Sequence, residues 1–218
     1  LFFDRTGQRA VYLIKGDIYL LDLPRSQFSR ITETEEEERS VTFSPDGRIL
    51  AFVRENDLYI YEIENKTEKR LTISGSVTIL NGLPSWGHGS VFEVRGTGYS
   101  WSYDSKAISY LQSDMSPLSI MHYIDFKPIV WRVIKQRYAK AGADNPIVRV
   151  GIVEISDAKT RWVDLSDASF EYIAKVKWLP GSRRLSVQTL NRLRDELNLY
   201  FVDRSTGKAS HTLRETDE

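Results

Sequence analysis

Apolar and polar positions alternate in short runs along most of this chain, and turn-forming residues punctuate them. Residues 40–53 set the pattern: Val41-Thr42-Phe43, then Ser44-Pro45-Asp46-Gly47, then Ile49-Leu50-Ala51-Phe52-Val53. Asp, Pro and Gly supply the fixed or positive φ of a tight turn, and the flanking runs have the period of two of half-buried strands. The strand–turn–strand unit recurs at 99–111 around Tyr103-Asp104-Ser105, and in a more worn form at 176–187 around Pro180-Gly181-Ser182. The end of a further copy occupies residues 1–12, around Asp4-Arg5-Thr6-Gly7.

Two more strand-like runs follow these copies. The clearest are Asp57-Leu58-Tyr59-Ile60-Tyr61 and Glu68-Lys69-Arg70-Leu71-Thr72, echoed by Asp17-Ile18-Tyr19-Leu20-Leu21 and by Leu197-Asn198-Leu199-Tyr200-Phe201. Four short antiparallel strands per unit describe a propeller blade. The fold class is therefore all-β: a β-propeller fragment of about four blades of four-stranded antiparallel sheets, near 1–34, 35–73, 99–166 and 172–214. The first blade is expected to be incomplete, because Leu1-Phe2-Phe3 reads as the tail of an opening strand. So few blades imply a piece of a larger ring, whose open edges invite association, including a homo-oligomer. Equivalent turn positions at Gly7, Gly47, Ser105 and Ser182 are 40, 58 and 77 residues apart. The first spacing suits an ordinary blade, so the excess in the others marks insertions at about 74–98 and 113–145, places that commonly carry function. Within the second insertion, residues 129–137 have a spacing ambiguous between a strand and a short helix.

Composition narrows the function classes. With 218 residues the chain can bury one large core, and 30 Lys+Arg against 30 Asp+Glu leave no net charge. No basic field is available to draw in nucleic acid, and no apolar run approaches the ~18 residues of a membrane span. The absence of cysteine removes disulfides and thiol chemistry. Three histidines, His88, His122 and His211, have no spacing that makes a zinc site or a triad, so no catalytic residue, metal or cofactor is expected. Gly98-Tyr99-Ser100-Trp101-Ser102 approaches a nucleophile elbow but lacks its last glycine and lies on a blade's opening strand. His88, between Gly87 and Gly89, is the best placed histidine for ligand contact. The run Glu35-Glu36-Glu37-Glu38 reads as a solvated connection, or as an acidic rim attractive to cationic N-termini. Asn65-Lys66-Thr67 matches a glycosylation triplet but occupies a hairpin turn.

One block is more specific than these. Arg137-Tyr138-Ala139-Lys140-Ala141-Gly142-Ala143-Asp144-Asn145-Pro146 closely resembles the R-Y-P-K-A-G-x-x-N-P block in the propeller of the dipeptidyl peptidase IV family, prolyl-oligopeptidase-type serine exopeptidases. Asn81-Gly82, Trp86, Trp101 to Ser105 and Asp114-Met115-Ser116-Pro117 follow in that family's order, and the later segments look like bacterial members. The resemblance implies a non-catalytic domain that gates and anchors peptide substrates. Its partner would be a C-terminal α/β-hydrolase domain, absent here, whose Ser-Asp-His triad removes N-terminal dipeptides. It slightly favours a periplasmic or other extracytoplasmic site in a bacterium. Arg137, Tyr138, Lys140, Gly142, Asn145 and Pro146 then read as structural family residues, and Trp86, His88 and Glu93 as candidate substrate contacts. One departure stands out: the family's amine-binding glutamate pair falls here on Gly89-Ser90, with Glu93 the nearby acid. The alternative reading is a binding or scaffolding propeller without peptidase activity.

Overall fold

In a computed structural model that describes residues 1–85, 97–166 and 168–217, nineteen strands and no helix are found among the described residues. Sheet 1 runs β1 (Phe2–Phe3), β2 (Arg9–Ile14), β3 (Asp17–Asp22), β4 (Gln27–Arg30), and sheet 2 runs β5 (Arg39–Phe43), β6 (Ile49–Arg54), β7 (Asp57–Glu62), β8 (Thr67–Arg70). Sheet 3 is built from β10 (Tyr99–Trp101), β11 (Ala107–Asp114), β14 (Ile147–Glu154) and β15 (Thr160–Trp162). Sheet 4 contains β16 (Tyr172–Trp178), β17 (Arg184–Leu190), β18 (Glu196–Asp203) and β19 (Ala209–Thr216). Each is an antiparallel meander, as expected of propeller blades. The opening strand of sheet 1 has only two residues.

The turns inferred as equivalent share one backbone conformation. Gly7 and Gly47 have φ of 70° and 72°, and Ser105 and Ser182 have 59° and 58°. Glycine takes this left-handed conformation freely, whereas serine pays sterically for it. The two serines return a contact that glycine cannot make. Ser105 Oγ accepts the amide of Asp46 at 3.1 Å, and Ser182 Oγ accepts the amide of Asp104 at 3.0 Å, so each turn latches onto the blade before it.

The core lies in the seams between sheets. Val11, Ile18 and Leu20 meet Val41, Leu50 and Phe52 between sheets 1 and 2, and Ala51, Val53 and Ile60 meet Ile108, Tyr110 and Val153 between sheets 2 and 3. Ala107, Leu111 and Ile152 meet Ile173, Leu185 and Val187 between sheets 3 and 4. β6 and β11 are sandwiched on both faces, which explains why Leu50-Ala51-Phe52-Val53 is a continuous apolar run rather than an alternating one. β17 is covered on one face and alternates. The inner strands are also tied laterally. Trp101 Nε1 donates to Thr42 Oγ1 at 3.1 Å, Tyr99 Oη donates to the carbonyl of Ser40, and Trp178 Nε1 donates to the carbonyl of Ser100 at 3.0 Å.

Two departures from regular blades matter for function. β9 (Ile79–Asn81), inside the first insertion as read from sequence, pairs with Gln112–Asp114 on the edge of β11 that β10 also uses. Blade 3's opening strand is thus interrupted between Asn81 and Tyr99. The second insertion forms a separate hairpin, β12 (Ile120–Asp125) with β13 (Arg132–Arg137), so the ambiguous stretch contains a strand. It leaves the sheet between β11 and β14, at the same end of the blade as the break between β9 and β10.

Candidate functional site

The end of the blades that carries both insertions is where the chain departs most from a plain repeat. Residues 82 and 98 sit side by side there, and three backbone bonds form a collar that joins them to Leu111. Gly82 N donates to Leu111 O at 2.9 Å, Leu111 N to Gly98 O at 2.8 Å, and Gly98 N to Gly82 O at 2.8 Å. Gly82 has φ +73°, and a Cβ there would lie 2.7 Å from Leu58 Cδ2. A methyl group at Gly82 would press on the Leu58 side chain, and one at Gly98 on the backbone of Gly82 and Leu83, so either would force its neighbours to shift.

Beneath it runs a buried polar relay. Asp57, fully buried at the start of β7, accepts from Thr72 Oγ1 at 2.5 Å, from Gly75 N at 3.0 Å and from Asn81 Nδ2 at 2.8 Å, and pairs with Arg70. Asn81 is fully buried too, and its Oδ1 accepts from Gln112 Nε2 at 2.7 Å. Gln112 Oε1 in turn accepts from Arg149 Nε at 2.8 Å, and that guanidinium lies 3.6 Å from the centre of the Trp162 ring. Every member is satisfied, the condition under which a buried polar network fixes a single geometry. Alongside, Tyr110 donates to or accepts from Thr160 Oγ1 at 3.1 Å, and burial pushes its phenol up to about 12.

Next to the collar a cleft of about 290 Å³ is lined by Glu36, Glu37, Arg39, Glu55, Asn56 and Leu83, with an exposed Glu37–Arg39 pair at 3.7 Å across it. The four-glutamate run therefore divides. Glu35, Glu36 and Glu37 are exposed, whereas Glu38 is buried and accepts from Thr32 Oγ1 and Thr34 Oγ1, both at 2.8 Å, and from Arg54. Arg54 bridges Glu38 and Glu68 and stacks over Tyr59 at 4.3 Å. Burial opposes its charge, but Glu68, Tyr59 and Glu38 hold its pKa above the usual arginine value.

The family-block residues lie around the hairpin. Arg137 Nη1 donates to the carbonyls of Ser116 at 3.1 Å and Leu118 at 2.7 Å, closing the hairpin's base. Asn145 Nδ2 donates to Glu171 Oε1 at 2.7 Å and Tyr172 Oη at 3.0 Å, tying the returning segment to sheet 4. Gly142 takes φ +81° in the turn after Lys140, whose carbonyl accepts Ala143 N at 3.0 Å. Tyr138 is half-buried with its amide bonded to Ser119 O at 3.1 Å, and Pro146 precedes β14 directly. The hairpin exposes Phe126, Ile129, Val130 and Trp131.

Trp86, His88 and Glu93, with Gly89 and Ser90, lie outside the described residues. His122 is exposed on β12, and His211 Nε2 pairs with Asn198 Oδ1 at 2.8 Å on sheet 4. Ser100 lies in the strand β10, with its carbonyl occupied by Trp178. No three His, Asp or Glu side chains converge as metal ligands among the described residues, and no helix long and apolar enough to cross a membrane is found among them. The relay was missed in sequence, although part of its signal was present: Asp57, Arg70 and Thr72 repeat Asp17, Arg30 and Thr32 of the first unit.

Comparison with known proteins bears on this arrangement. The chain matches the family model of the dipeptidyl peptidase IV N-terminal region over residues 5–218. It is similar to a probable dipeptidyl peptidase 4 of Aspergillus flavus (29% identity, covering 77% of this chain and 23% of that protein). It also resembles prolyl endopeptidase FAP of Mus musculus (28% identity, 88% and 26%). Among solved structures, that of Porphyromonas gingivalis dipeptidyl peptidase 4 superposes with a TM-score of 0.87 at 26% identity, covering 99% of this chain and 32% of that one. The chain thus spans about a quarter of the length of these curated relatives. With repeat, blades and family block agreeing over nearly its whole length, the chain belongs to the dipeptidyl peptidase IV family, as part of that family's N-terminal propeller region.

Proposed function

We propose that this chain is the substrate-gating and anchoring propeller of a serine exopeptidase, one that hydrolyses nothing by itself. Its partner in the parent protein is a C-terminal α/β-hydrolase domain that removes dipeptides from peptide N-termini, typically after proline. The observation carrying this reading is the family match over residues 5–218. Its geometric support is the gathering of the collar, the acidic cleft and the hairpin at one end of the blades, where a peptide N-terminus can meet carboxylates. The exposed apolar side chains of β12–β13 support a further role in association, including a homo-oligomer.

The test is dipeptide release by the parent from proline-containing chromogenic peptides with free and with acetylated N-termini. Release only from the free form supports amine anchoring. Equal release from both refutes it. A second reading, a binding or scaffolding propeller without peptidase activity, is favoured by Gly89-Ser90 at the family's amine-binding positions, since neither residue supplies a carboxylate for a buried ammonium. Silence towards every such peptide, with the fold intact, selects it.

A further inference from the structure

The seams between blades are not tied alike at the end opposite the insertions. There Lys69 Nζ on β8 donates to the carbonyls of Ile155 and Ser156, both at 2.8 Å, and clasps sheet 2 to sheet 3. Arg161 Nη1, at the same place on β15, donates to the carbonyl of Arg204 at 3.0 Å and clasps sheet 3 to sheet 4. Between sheets 1 and 2 that place is taken by Ser29, since Leu20 pairs with Ser29 as Ile60 does with Lys69 and Ile152 with Arg161. A serine is too short to reach the next blade as the lysine and arginine do. The turn latch is missing as well, because Gly47 stands at the place of Ser105 and Ser182. Phe43 stands where Trp101 and Trp178 donate to the preceding blade. Seam 1/2 is instead held from its other end, where Glu38 N donates to Gly16 O at 2.9 Å and the Glu38 carboxylate accepts from Thr32.

A groove of about 580 Å³ opens at the unclasped end, a size usual for small-molecule sites. Sheet 1 lines it with Arg9 and Arg25 and sheet 2 with Arg48 and Lys66, and Asp22 and Glu64 are the acids of its rim. Arg9 and Arg25 have distant partners, Asp4 at 3.7 Å and Asp22 at 3.8 Å. The side chains of Arg48 and Lys66 make no ion pair among the described residues. Cations from two sheets thus face one space and repel across it. A planar carboxylate answers donors in one plane, whereas a phosphate offers oxygens in several directions to guanidinium forks and an ammonium arriving from different sheets. We propose that this groove binds a small phosphate-bearing ligand, held between Arg9 and Arg25 of one blade and Arg48 and Lys66 of the next, and that the ligand ties the seam which Ser29 leaves open. The site lies at the opposite end of the blades from the one proposed for peptides and does not depend on that function.

Calorimetric titration of the chain with inorganic pyrophosphate and with glycerol phosphate, at constant ionic strength, tests the site. Saturable binding of either supports it, and the tighter of the two distinguishes a free from an esterified phosphate. Arg48→Gln and Lys66→Gln, both exposed and outside the core, should each weaken binding about tenfold, while Lys135→Gln on the hairpin should leave it unchanged. Amide hydrogen exchange then locates the closure. Leu23 N and Ile63 N border the groove, donating to Gln8 O at 2.9 Å and Arg48 O at 3.0 Å, and saturating ligand should slow their exchange about fivefold or more. The matching amides of the clasped blades, Ile155 N on Lys106 O and Arg204 N on Arg183 O, should keep their ligand-free rates. No saturable binding of either compound, or an equal loss with Lys135→Gln, overturns the proposal and leaves these cations as a solvated rim. So does slowing spread evenly over all of these amides.

Discussion

Tyr99→Phe removes one oxygen from the tie between blades 2 and 3. Tyr99 is buried where the chain re-enters the sheet after the collar, and burial raises its phenol well above the usual tyrosine range despite a bond with Thr42. Trp101 donates to Thr42 Oγ1, Thr42 lies 3.0 Å from Tyr99 Oη, and Tyr99 donates to the carbonyl of Ser40 with Ala51 O also at 2.8 Å. Ser40 sits at a register shift in β5 with φ 56°, so its carbonyl is offered sideways to the next blade. The phenylalanine variant keeps the ring and its packing but leaves buried polar groups without this partner, at a cost of about 1–3 kcal/mol. For a chain of this size each kcal/mol shifts Tm by about 2–4 °C, so a fall of about 2–12 °C is expected. Circular dichroism melts of the two proteins measure it. A Tm within about 1 °C of wild type would show that the hydroxyl chain does not hold the blades together.

Other outcomes follow from the same contacts. Ser182→Ala keeps the left-handed φ and loses the latch to Asp104, so it should destabilise by about 1 kcal/mol in urea titrations, whereas Ser182→Gly, which relieves the φ, should lie close to wild type. Gly82→Ala places a methyl group against Leu58 at positive φ and should cost about 1–3 kcal/mol, with the collar amides losing protection first. Tyr99 and Tyr110 both have raised folded-state pKa values through burial, so their contribution is complete below the unfolded tyrosine pKa of 10.0 and is lost as pH rises beyond it. Absorbance at alkaline pH should show these two phenols ionising last and together with unfolding. Ionisation in step with the exposed tyrosines would contradict their burial.

Some of this was open to reading in the sequence. Turn-forming residues flanked by alternating runs marked the repeat although its spacing is uneven, and Gly7, Gly47, Ser105 and Ser182 do share positive φ. Tyr99, Trp101 and Trp178, on strands visible in the repeat, bond to neighbouring inner strands. Alternation misled in the middle blades, because a strand covered on both faces has no polar side to display. β9 was hidden because its partner, Gln112–Asp114, is distant in the chain and no local spacing links the two. The hairpin β12–β13 has exposed residues along both strands, so no periodicity distinguished strand from helix. The relay was illegible for a similar reason: Asp57, Asn81, Gln112 and Arg149 are brought together by pairing across blades, and no local spacing encodes that.

The most direct measurement is turnover of a dipeptidyl chromogenic substrate by this chain alone and by the chain joined to the α/β-hydrolase domain proposed as its partner. The account predicts no release from the isolated chain, and release from the joined protein that a blocked substrate N-terminus abolishes. Turnover by the isolated chain, or indifference of the joined protein to that block, would contradict it.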